Sequence, residues 1–124
     1  MSTLNVSNIT DGTTTLATEY VVNGSAKAWV NFNGGSSTIN DSLNASSLYD
    51  NATGQFLVNF SSSFSNTSYS VTSGQGYQIG NFVTSYDSVA PYSVSAHIFS
   101  KYDPVGSTWQ DPQYAQAHCM GDLA

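Results

Sequence analysis

The stretch Ala26-Lys27-Ala28-Trp29-Val30-Asn31-Phe32-Asn33, closed by Gly34-Gly35, decides the fold class. Ala26, Ala28, Val30 and Phe32 take one set of alternating positions, and Lys27, Trp29, Asn31 and Asn33 take the other. A period of two marks a β-strand, because successive side chains leave opposite faces of the backbone. Trp29 falls on the nominally polar side, an unusual place for a ring of such large apolar area. Its position implies a strand covered on both faces, by a second sheet on one side and by another subunit or an N-terminal arm on the other.

The same period recurs along the chain. Thr38 to Leu43 reads as a weaker strand with Ile39 and Leu43 inward, and Leu48-Tyr49 leads into the turn formers Asp50-Asn51-Ala52-Thr53-Gly54. Gln55 to Phe60 returns as a strong strand with Phe56, Val58 and Phe60 on one face, which makes a hairpin. After a polar loop at Ser61 to Asn66, the alternation resumes at Thr67, Tyr69 and Val71. Gly74, Gly76 and Gly80 break the next region, leaving room for a short irregular strand near Phe82 and Val83. Tyr92 to Tyr102 is the longest alternating run, stopped by Asp103-Pro104-Val105-Gly106. A loop containing Trp109 and Pro112 precedes a last strand, Tyr114 to Leu123, with Ala115, Ala117, Cys119 and Leu123 aligned.

Six to eight short strands without helical periodicity predict an all-β fold, an antiparallel β-sandwich of jelly-roll-like form. At 124 residues the chain suits one compact domain. Residues 1–25 are polar, with isolated apolar side chains at Leu4, Val6, Ile9 and Leu16, then Tyr20, Val21 and Val22. They read as an N-terminal arm or docking segment, and residues 26–124 as the sandwich domain.

Composition narrows the function. Charged residues are 8% of the chain, against roughly 25% in ordinary soluble proteins. With Lys27 and Lys101 as the only cations and a net charge of -6, the surface cannot neutralise a row of phosphates, which argues against nucleic acid and anionic membrane as partners. No stretch reaches transmembrane length and no basic segment leads an apolar run at the N-terminus, so membrane insertion is not expected, and export would rest on lysis or particle release. Cys119 is the only cysteine, so no disulfide within the chain or cysteine zinc cluster is available. Asn-x-Ser/Thr sequons at Asn5, Asn44, Asn51 and Asn66 are what an Asn- and Ser-rich chain produces by chance.

Catalytic chemistry finds little purchase. His97 and His118 lie on separate strands without metal-ligand spacing. Asp50, Asn51 and Gly54 lack the terminal acidic ligand of a calcium loop, because Ser61 and Ser62 stand there. Asp41, Asp50, Asp87, Asp103 and Asp111 each fall in or beside a turn, and no GxSxG elbow exposes a serine. The expectation is a non-enzymatic protein without cofactor or metal. The better candidates are aromatic loops: Tyr77 between Gly76 and Gln78, Tyr86-Asp87, and above all Tyr102 and Asp103 with Trp109-Gln110-Asp111. Rings mixed with amides and carboxylates bind sugars by stacking and hydrogen bonding. The competing reading is that these rings pack loops against the end of the fold or fill a subunit interface.

Three segments carry a resemblance: Gly24 to Gly34, Asp41-Ser42-Leu43-Asn44-Ala45-Ser46-Ser47, and Asp50 to Phe60. Together with the opening Met1 to Ile9 and the closing Gly121-Asp122-Leu123, they resemble small tail-fibre proteins of marine and cyanobacterial phages. From Ser65 to Gln116 no specific pattern is shared. The resemblance implies a virion structural protein on the particle surface, homotrimeric, acting as a fibre or receptor-binding part. The low charge and the apolar groups on both faces of the Ala26–Phe32 strand point to self-association independently. The expectation is therefore a tail-fibre or receptor-binding tip in which Tyr102, Asp103, Trp109 and Asp111 contact a host glycan or protein, Trp29 lies in the oligomer interface, and residues 1–25 dock on other virion proteins. The alternative is a capsid decoration or head-fibre (cement) protein.

Overall fold

A computed structural model describes residues 2–76, 81–83, 93–103 and 106–124. The chain runs β1 (Asn8–Thr10), β2 (Thr15–Ala17), α1 (Thr18–Gly24), β3 (Ala28–Asn33), β4 (Thr38–Leu43), β5 (Ala45–Ala52), β6 (Gln55–Phe60), β7 (Ser70–Gly76), β8 (Asn81–Val83), β9 (Ala96–Asp103), β10 (Thr108–Trp109) and β11 (Tyr114–Met120). The fold is all-β and the strand pairings are antiparallel, as the alternation predicts. One sheet has the order β4-β3-β11-β7, and a second has the order β10-β9-β6-β5 with β8 also paired to β9. A separate hairpin, β1-β2, stands at the N-terminus.

The two larger sheets send side chains into one core. Ala28, Val30 and Phe32 of β3 and Ala115, Ala117 and Cys119 of β11 meet Phe56, Val58 and Phe60 of β6 and Phe99 of β9. The Phe32 and Phe56 rings, one from each sheet, lie 5.3 Å apart. Fully burying a phenylalanine contributes about 1.5–3 kcal/mol, so the four that are fully buried among the described residues, Phe32, Phe56, Phe64 and Phe99, anchor the two layers to each other. Phe64 comes from the polar loop before β7, where no alternation announces it. It stacks on Tyr69 at 4.4 Å and pairs as an isolated bridge with Leu123.

Between β4 and β5 the chain passes from one sheet to the other through a single residue. Asn44, between β4 and β5, has φ 55, a left-handed conformation that Asn tolerates better than most residues. Its side chain holds the corner: Ser62 N–H donates to Asn44 Oδ1 at 2.6 Å, and Asn44 Nδ2 donates to the Ser62 carbonyl at 3.0 Å.

Several elements depart from the sequence reading. Ile39 packs against the core, but Leu43 points outward and is 49% exposed. The reason is a bulge. Phe32 pairs with Ile39 while Asn31 pairs with Asp41, so Asn40 is an extra residue and every later side chain of β4 changes face. The turn after Tyr49 is shorter than its composition suggests, because β5 continues to Ala52, with Asn51 as a bulge between the Asp50–Phe56 and Ala52–Gln55 pairs, and Thr53 and Gly54 (φ 73) form the turn. Gly74 and Gly76 do not break their strand, which β11 pairs without interruption from Ser70 to Gly76. The run before Tyr102 enters β9 only at Ala96, and its core side carries His97 and Phe99, opposite Val58 and Phe56.

Residues 1–25 contain a helix where none is expected. α1 has no side-chain N-cap hydrogen bond and no buried residue. None of residues 2–25 is buried, and none belongs to the core cluster. Lys27 Nζ donates to the carbonyls of Val22 and Ser25, supplying a cation at the negative end of α1.

Candidate functional site

β9 and β10 form a hairpin in which Tyr102 pairs with Trp109 and Asp103 with Thr108. The two rings meet edge to face, 5.1 Å apart at 63°, a favoured geometry for aromatic pairs. Both side chains are half-buried. Asp103 organises the turn: its Oδ1 accepts from Gly106 N–H at 3.2 Å and its Oδ2 accepts from Gln110 Nε2 at 3.2 Å. Ser107 sits in the left-handed region at φ 51. The result is a braced tip that presents two rings beside a carboxylate and an amide.

Asp111 does not join this group. Its Oδ1 accepts from Gly54 N–H at 2.6 Å, a short charge-assisted bond to the β5–β6 turn. The next residue, Pro112, is fully buried, and its carbonyl accepts from Gly34 N–H at 2.7 Å. Asp111 and Pro112 therefore tie the turn after β3 in one sheet to the turn before β6 in the other. A Cβ at Gly34 would lie 2.7 Å from Phe56 Cζ and 2.8 Å from Pro112 Cδ, so the close approach requires glycine. Of the four residues expected to bind a receptor, the structure gathers Tyr102, Asp103 and Trp109 and gives Asp111 a bracing role.

Trp29, expected at an oligomer interface, lies on the outer face of the β4-β3-β11-β7 sheet, paired with Leu43 on one side and His118 on the other. It is half-buried. Tyr77, Tyr86 and Asp87 lie outside the described residues.

A buried polar cluster escapes the sequence reading. His97 is fully buried against Phe99 at 4.5 Å, and its Nδ1 lies 3.3 Å from the Tyr69 hydroxyl. That hydroxyl also lies 3.1 Å from the Ser93 carbonyl and 3.2 Å from that of Ala96. Burial disfavours the imidazolium and lowers the His97 pKa to about 4, so the ring is neutral at physiological pH. Burial likewise pushes the Cys119 thiol up to about 12, which leaves it protonated and unreactive. His118 is on the exposed face of β11, apart from His97. Among the described residues, no three His, Cys, Asp or Glu side chains are grouped as a metal site would require.

Compared with models of protein families, with curated proteins and with solved structures, the chain matches none.

Proposed function

We propose that this chain is a structural, non-enzymatic module of a bacteriophage particle: a homotrimeric β-sandwich of jelly-roll-like form that contacts the host surface as a tail-fibre or receptor-binding tip. The phage assignment rests on the resemblance of Gly24–Gly34, Asp41–Ser47 and Asp50–Phe60 to small phage tail-fibre proteins. The contact itself rests on one observation, the Tyr102–Trp109 ring pair held at the braced tip of the β9–β10 hairpin. Two sheets sharing one core form a stiff support for such a tip, and several copies turn weak individual contacts into firm attachment.

A second reading, capsid decoration or head fibre, is favoured by the arm. Of the twelve large hydrophobic side chains exposed among the described residues, seven fall in it: Leu4, Val6, Ile9, Leu16, Tyr20, Val21 and Val22. Such a concentration suits a segment that docks on a particle shell. Copy number per particle distinguishes a tip from a decoration protein.

Trp109→Ala tests the tip. As a receptor contact, the change weakens host adsorption and leaves assembly and melting temperature nearly intact. If the ring serves only packing, stability falls instead by about 3–5 kcal/mol and adsorption by the surviving folded protein is normal, which removes Trp109 from the site.

A further inference from the structure

β7 and β11 lie side by side with Thr72 opposite His118, Gly74 opposite Gln116 and Gly76 opposite Tyr114. These pairs occupy the outer face, because Ala115, Ala117 and Cys119 of β11 alternate with them and are buried. Glycine inside a strand weakens it, and commonly marks a bulge or a place where a ligand or another backbone approaches closely. The β7–β11 pairing runs without a bulge. Neither glycine has the positive φ of Gly54. Nor is either squeezed as Gly34 is: among the described residues a Cβ at Gly74 would meet nothing nearer than Gln116 Nε2 at 3.5 Å, and one at Gly76 nothing nearer than Tyr114 Cβ at 3.6 Å. Among the described residues, internal packing gives no reason for either glycine. Beside Gly74 the missing side chain leaves a trough of about 130 Å³ lined by Thr72, Ser73, Gly74, Gln116 and His118.

The lining specifies the ligand's chemistry. Neither β7 nor β11 carries an Asp, Glu, Lys or Arg, so a charged ligand would meet no counter-charge on the two strands that form the trough. A hydroxyl, a primary amide and an imidazole supply donors and acceptors, and the 55% exposed ring of Tyr114 offers a stacking surface at one end. Trp29 and Leu43 lie beyond His118 on the β3–β4 half of the same face, so self-association there leaves the β7–β11 half available.

We propose that the trough between β7 and β11 binds a neutral glycan through Thr72, Gln116 and His118, with Tyr114 stacking on a sugar ring. This deepens the adhesion reading by naming a ligand class and a second contact surface, and it rests on that reading only for its biological setting. The test uses the full chain on immobilised gluco-, galacto- and mannotetraose, with a sulfated tetrasaccharide as charged control. The intact protein binds at least one neutral tetraose more tightly than the sulfated one. Gly74→Thr, which fills the trough with a residue well suited to strands, keeps or raises the melting temperature and weakens that binding at least tenfold. Gln116→Ala, at an exposed position, weakens it comparably and serves should Gly74→Thr fail to fold. Tyr49→Ser, at an exposed position on β5 of the other sheet, leaves it unchanged. Absence of neutral binding, preference for the sulfated sugar, or full binding by folded Gly74→Thr overturns the proposal. So does loss of oligomer mass in Gly74→Thr, which would assign the trough to a neighbouring copy. Host adsorption is scored separately, so failure of the adhesion reading leaves the sugar result standing.

Discussion

His97 makes the stability of the domain depend on acidity in a direction its burial dictates. In the unfolded chain its pKa is the ordinary 6.5, and in the folded protein it is about 4. The unfolded state therefore binds more protons across that interval, and stability falls as pH drops from above 6.5 towards 4, then levels off. The shift corresponds to about 3 kcal/mol. Denaturant titrations of the native protein and of His97→Gln at pH 7 and pH 4 check this. The native protein loses about 3 kcal/mol more than the variant over that range, because the other ionisable groups affect both alike. An equal loss in the two proteins would remove His97 as the cause. The same residue shows why composition is a poor guide to a single side chain. Its alternating position gave it a face but not the identity of that face, which was set by register against Val58 on β6.

Among the elements, those with strict alternation and no irregularity were legible. β3 and β6 bury every second residue, and β11 does so from Ala115 to Cys119, because the extra residues of the bulged ladders fall on β4 and β5 and leave these strands' own alternation intact. β4 was legible as a strand but not in its facing, since the bulge at Asn40 leaves no mark in residue type and reverses Leu43. Ile39→Ala is expected to lower stability by about 2–4 kcal/mol, the range for truncating an apolar side chain packed on a core. Leu43→Ser should stay within about 0.5 kcal/mol of the native value, as for an ordinary surface change. Thermal melts of the two variants decide this, and a reversed order would place Leu43 inside. α1 was missed because Val21 and Val22 are poor helix formers and Ala17 supplies no cap, so the local signals favour extended chain. The candidate site was half legible. Tyr102 and Trp109 are close in sequence and a hairpin joins them, whereas the partner of Asp111 is an amide 57 residues away that no local pattern announces.

At the scale of the whole molecule, the arm and the two-sheet body differ in what they bury. Because no residue of 2–25 reaches the core, deleting residues 1–25 should leave the melting temperature within a few degrees of the native value. On the proposed phage reading the shortened protein should fail to join the particle, as particle sedimentation would report. Collapse of the fold on deletion would show that the arm is part of the body. Light scattering of the full chain at micromolar concentration is expected to give a trimer mass, and a monomer mass would count against the homotrimer and against Trp29 as its interface.

The position of β11 between β3 and β7 also governs the order in which the protein can be made. Ala28 waits for Cys119 and Phe32 for Ala115, so one sheet lacks its inner strand until β11 has left the ribosome. Pairings so distant in sequence form slowly, and until they form, unpaired strand edges invite aggregation. β3 and β7 together carry no charged side chain to discourage such pairing. Chains stalled short of Tyr114 should therefore accumulate as insoluble aggregates, whereas chains completed through Met120 remain soluble; pelleting of nascent chains released at each length would measure this. Synthesis thus has a vulnerable interval that opens once β3 is made and closes with a single strand, β11.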